Sequence, residues 1–127
     1  MADHPNAALY RSIFDKMIAG DIEALADAIA DDIEYHVIGS PDPIVGKEAV
    51  LASFGGFDDA GFDFQGELHD VVANDDHTIA LVEAHVTKDG KTFSYRTAEI
   101  FHFKDGKATE RWAFSDDTEA INRFFGS

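Results

Sequence analysis

"IEALADAIADDIEYHVI", residues 22–38, changes its period partway along, and that change decides the fold. The first half sets Ile22, Leu25, Ala26 and Ile29 on one stripe at helical spacing, with Asp21 in the N-cap position before it. From Ile33 the period is two, and Ile33, Tyr35 and Val37 alternate with Glu34, His36 and Ile38 up to Gly39. A helix over "IEALADAIA" therefore gives way to a strand over "IEYHVI".

Upstream, "NAALYRSIFDKMIA" (6–19) carries Leu9, Ile13 and Met17 with Phe14 and Ile18 at helical spacing. Asn6 is the expected N-cap and Gly20 the expected stop. Downstream, "SPDP" (40–43) reads as a turn, because each proline pushes the residue before it out of helical space. "GKEAVLASF" (46–54) gives a third, short helix with Val50, Leu51 and Phe54 apolar, and "GGFDDAG" (55–61) reads as a loop. Strands are then expected at about 62–73, 78–88, 91–103 and 107–115, joined by "NDD" (74–76) and two "KDG" turns (88–90 and 104–106). "DDTEAINRFF" (116–125) closes the chain as a helix capped near Asp117. The order α-α-β-α-β-β-β-β implies an α+β domain, with three helices laid on one face of a curved antiparallel sheet. Such a one-sided cover leaves a pocket between helices and sheet.

The 127 residues suit a single domain, 1–127, with its core over about 8–116. A net charge of −15, from 25 acidic against 10 basic side chains, argues against nucleic acid and anionic membranes as partners. The absence of cysteine removes disulfides, thiol chemistry and Cys-based metal sites. "MADHPNAALYR" has no apolar h-region after a charged start, and no apolar run reaches the length of a membrane span, so a cytoplasmic protein is expected.

One residue conflicts with its surroundings. In "YRTAEIFHF" (95–103), alternation puts Glu99 on the face of Tyr95, Thr97, Phe101 and Phe103. An ionised carboxylate among aromatic rings is costly to bury without a partner. Two readings stand: a pocket acid or base that meets a ligand, or a carboxylate without a ligand, paired with an arginine or left solvated by a slip of strand register. Arg111, on the last strand with Thr109 and Ala113, is the candidate partner; apart from Glu99 it would instead grip an anionic ligand group or be simply exposed.

The segments "YRSIFDKMIAGDIEALADAIADDIEYHVIGSPDPIVGKEAV" and "DGKTFSYRTAEIFHFKDGKATERW" resemble the nuclear transport factor 2-like superfamily, in its SnoaL-like and ketosteroid-isomerase-like branch. The resemblance implies a cone-shaped pocket and a homodimer formed through the sheet's outer face. It also implies site positions. The steroid-isomerase base falls on Val37, the oxyanion-hole tyrosine on Ile13, and the neutral acid donor on Glu99. The acid that SnoaL-like cyclases carry just after the last-strand tryptophan falls on Ala113. Of these only Glu99 keeps the chemistry.

The expected activity is that of a small-molecule pocket protein, an isomerase, cyclase or dehydratase acting on a hydrophobic carbonyl compound, with Glu99 and Arg111 as its reactive groups. The alternative is a non-catalytic ligand-binding or dimerisation domain. Tyr35, Tyr95 and Thr97 are candidate ligand contacts, beside apolar walls from Phe14, Val37, Val82, Ala84, Val86 and Phe101. His36 and Trp112 fall by alternation on the outer face, as dimer contacts. His69, His77, His85 and His102 are scattered over different strands without ligand spacing, so no metal is expected, and no cofactor is called for.

Overall fold

The structure is a computed structural model that describes residues 4–126, apart from the side chains at 57, 58 and 126. The expected domain, 1–127, and the reading of the N-terminus extend to residues 1–3 and 127, outside the described residues.

Helix α1 (Pro5–Ala19) is capped by His4, whose ring Nδ1 accepts from the Asn6 amide at 3.1 Å; Asn6 is not the cap. Pro5 explains the earlier start, since its fixed φ and missing N–H suit the first helical position. Gly20, at φ 72°, ends the helix as expected. Helix α2 (Ile22–Asp27) starts from Asp21, whose carboxylate accepts from the Ala24 amide.

Helix α2 is shorter than its stripe suggests. Ile29 belongs to strand β1 (Ile29–Tyr35), which runs parallel to the last strand and pairs Ile29 with Ala108. The Ala108 amide donates to the Ala28 carbonyl at 2.8 Å, so sheet pairing takes over where a short helix has little cooperativity to extend it. Val37 and Ile38 consequently lie beyond the strand.

After β2 (Ile44–Val45), helix α3 runs from Lys47 to Asp59 and absorbs most of the "GGFDDAG" segment expected as a loop. Gly55 and Gly56 each weaken a helix by about 1 kcal/mol relative to alanine. The packing of Val50, Leu51 and Phe54 against the core outweighs that loss, and the helix stops before Gly61 at φ 88°.

Strands β3 (Asp63–Ala73), β4 (Thr78–Lys88), β5 (Lys91–Lys104) and β6 (Lys107–Ser115) follow the expected meander, and α4 (Thr118–Gly126) closes the chain. Asp89–Gly90 and Asp105–Gly106 all have positive φ, the conformation that a two-residue hairpin turn matched to strand twist requires. The sheet is curved and unclosed, in the order β2-β1-β6-β5-β4-β3. All its pairs are antiparallel except β1–β6.

The inner face is read directly from burial: Thr78, Ala80, Val82, Ala84 and Val86 on β4, then Thr97, Glu99 and Phe101 on β5. Tyr10 and Phe14 of α1 and Val50 of α3 complete the core against Ile29, Ile33 and Val71. Among the described residues no helix is long and apolar enough to cross a membrane.

Candidate functional site

Glu99 sits mid-strand on β5, between Ala80 of β4 and Ala113 of β6. Two alanines as cross-strand neighbours leave space above the sheet for a longer side chain. The carboxylate is nearly buried, and its Oε2 lies 3.4 Å from the Arg111 Nε.

Arg111 reaches it because a register shift between β5 and β6, at His102/Phe103, resets the inward phase and puts Arg111 opposite Phe101. Thr109, expected on the same face, instead donates its hydroxyl to the His102 carbonyl at 3.1 Å. The other side of the guanidinium is also held: Nη1 donates to the His36 carbonyl at 2.8 Å, and the group lies 4.5 Å from the Tyr35 ring centroid.

The surrounding phenols stay protonated. Burial is the main cause that raises the pKa of Tyr10, followed by the charge of Glu99; a side-chain hydrogen bond to Glu99 adds to it. Tyr35 is raised by burial first, with Arg111 opposing and Glu99 reinforcing. Tyr95 is pushed up to about 12 by burial and then by Glu99. Burial opposes the charge of Arg111, but Tyr35, Glu99 and Tyr10 outweigh it and its pKa is raised. The group thus combines a carboxylate, a fixed cation and neutral O–H donors in a site shielded from water.

A cavity of about 40 Å³ opens beside Glu99, walled by Tyr10, Ile13, Phe14 and Met17 of α1, by Tyr35 of β1 and by Phe101. At roughly 10–15 Å³ per water it holds a few water molecules as it stands. The structure therefore brings Glu99, Phe14, Tyr35 and Phe101 to one cavity, with Arg111 beside it. Val37 does not line it, being 37% exposed beyond the end of β1. Val82, Ala84 and Val86, expected as pocket walls, are buried in the core and do not line the cavity. Tyr95 stacks on Phe93 toward α4, with ring centroids 5.3 Å apart. Thr97 is buried beside Glu99 on the same face, and its hydroxyl has no protein partner.

Sequence reasoning missed Tyr10. Its signal was present: a residue with a hydroxyl one turn before Ile13 and Phe14, on the stripe that α1 turns inward.

On the outer face Trp112 stacks on His36, with centroids 3.6 Å apart and planes 10° from parallel, and donates its Nε1 to Glu110. Glu34, His36 and Glu110 bring ligand atoms within 4.8 Å of one another and could hold a cation, a grouping that sequence spacing did not show. Glu34 is already 3.1 Å from the His36 Nε2.

A family model described as a SnoaL-like domain matches residues 10–111. No curated protein matches the sequence significantly. Among solved structures, Bal32a from a soil-derived mobile gene cassette superposes with a TM-score of 0.84 at 23% identity, covering 94% of this chain and 95% of that one. An epoxide hydrolase of the LEH-like kind from M. tuberculosis gives 0.79 at 13% identity, covering 95% and 96%. IdmH from Streptomyces antibioticus, a candidate polyketide cyclase, gives 0.77 at 22% identity, covering 96% and 99%. At these identities the likeness speaks to the nuclear transport factor 2-like fold.

Proposed function

Because the chain belongs to the SnoaL-like domain family, we propose that it is a small-molecule enzyme that moves a proton on a hydrophobic carbonyl compound. Glu99, 3.4 Å from the Arg111 guanidinium, takes the proton from the carbon next to the carbonyl. Tyr10 and Tyr35 donate hydrogen bonds to the oxygen as negative charge develops there. The protonated Glu99 then returns the proton at the same or another carbon. The single observation that carries this reading is the cavity that opens beside Glu99 and is walled by Tyr10, Tyr35 and apolar side chains. The Arg111–Glu99 contact of 3.4 Å is by itself the pairing expected of a structural carboxylate, and Glu99 has a further role only if a ligand reaches it. That contact favours Glu99 as base over Glu99 as neutral donor. Structural neighbours named as cyclase, isomerase and epoxide hydrolase support small-molecule chemistry on this fold.

A ligand must enlarge the present cavity. Met17, unbranched and only partly buried, is the wall residue that yields most easily. The test is deuterium uptake by cyclohexanone in heavy water, followed by proton NMR. The wild type should speed exchange next to the carbonyl over an inert protein at equal concentration, and Glu99→Gln should abolish the gain.

A second reading, binding without catalysis, is favoured by Val37 and Ala113 standing where the resemblance places an essential base and acid. It predicts ketone binding at Phe14 and Tyr35 with no exchange. In either case we propose that the outer sheet face, with Trp112, Phe114 and Leu81 exposed, pairs with a second copy of the chain.

A further inference from the structure

Most residues that line the cavity beside Glu99 are buried outright; Met17, Tyr35 and Phe54 are the ones that also reach the surface. A way in from solvent therefore passes beside one of these three. Tyr35 is fixed by pairing with Arg111 and Ile44 on either side of β1, and by the guanidinium 4.5 Å from its ring centroid. Met17 belongs to α1, which Tyr10, Ile13 and Phe14 anchor in the core, so there only the side chain itself can shift.

Phe54 differs because of the helix that carries it. We propose that Phe54 is the gate of the Glu99 cavity, hung on a weak point of α3 at Ser53–Gly56, and that it swings outward to admit a ligand. This rests on the cavity being a ligand site, as read above, but on no particular chemistry there.

The first half of α3 is firmly held. Val50 is fully buried, and the Gly46 amide just before the helix donates to the Ile33 carbonyl of β1 at 2.8 Å. The hold weakens at Ser53, whose hydroxyl donates to the Val50 carbonyl at 2.6 Å. That is the carbonyl which helical pairing offers to the Phe54 amide, and such back-bonding loosens and bends a helix.

Two glycines follow at once. Neither Gly55 nor Gly56 has a positive φ, and a Cβ on either would meet open space, so alanine fits at both positions. Packing gives no reason for glycine there. What the pair does to a helix is make local opening easier. The ring next to this break lies edge-on to Tyr35, with centroids 5.6 Å apart, and closes the cavity from that side.

The chain has no cysteine, so a single introduced thiol reports opening without background. Ala108→Cys places it in the cavity wall and Ala84→Cys in the core away from the cavity. Labelling by iodoacetamide under native conditions, followed by mass spectrometry, should be faster for the cavity thiol than for the core thiol. Adding Gly55→Ala/Gly56→Ala should keep or raise the melting temperature and slow the cavity thiol roughly tenfold. Phe54→Ala should speed the cavity thiol more than the core thiol, which reports any general loss of stability. No substrate enters this readout, so a failure of the proposed proton transfer would leave it untouched. The gate is overturned if the two thiols label alike, if the alanine pair leaves the cavity thiol at its parent rate, or if Phe54→Ala speeds both thiols equally or neither.

Discussion

Arg111 and Glu99 meet across neighbouring strands, twelve residues apart in sequence, with Nε 3.4 Å from Oε2 and both side chains almost out of water. Removing one partner strands the other as a buried charge, which costs about 3–5 kcal/mol. Glu99→Leu and Arg111→Met should therefore each lower the stability by an amount of that order, read from urea unfolding midpoints. Single variants within about 1 kcal/mol of wild type would mean that the charges are already solvated.

The buried phenols make the protein sensitive to alkali. An unfolded tyrosine loses its proton near pH 10, while Tyr95 holds its own to about 12 and Tyr10 and Tyr35 are raised as well. Below pH 10 both states keep these protons and the stability is full. Above it the unfolded chain binds fewer protons than the native one, so stability falls as pH rises. Urea midpoints measured from about pH 9 to 11 should fall, and Tyr10→Phe should flatten the slope.

Gly39, at φ 81° in the turn after β1, lies so close to the Asn122 side chain of α4 that an added Cβ would displace it. Gly39→Ala combines a left-handed backbone with that clash and should cost about 1–3 kcal/mol. Hydrogen exchange should show α4 opening first. An unchanged α4 would show that the contact does not anchor the helix.

Phe114 is 59% exposed beside Trp112 and Leu81 on the outer face. If a second copy covers that face, sedimentation should give a dimer for the wild type and a monomer for Phe114→Glu. A monomeric wild type would remove the proposed interface.

How much of this could be read in the residues varies with what sets each feature. The β3–β6 meander was legible to within a residue, because Asp-Gly turns and a strict period of two act locally. The inward face of Glu99 was legible for the same reason. The end of α2 and the length of α3 were not, since sheet pairing at Ile29 and packing of Phe54 decide them at long range. The Arg111–Glu99 contact depends on a bulge that no period reveals, so sequence could name both residues but not choose between pairing and separation. Tyr10 was passed over because a tyrosine on an apolar helical stripe reads as packing until it is seen to wall the same cavity as Glu99.

The central claim is that this buried pair is kept for a ligand and not for the fold. The most direct test is the unfolding free energy of Glu99→Leu/Arg111→Met against wild type. If the pair serves a ligand, replacing both charges with apolar groups of similar size should leave the protein as stable or more stable, by up to about 1–4 kcal/mol. A double variant that unfolds several kcal/mol more easily would show that the pair holds the structure together, and Glu99 would lose its place in the chemistry.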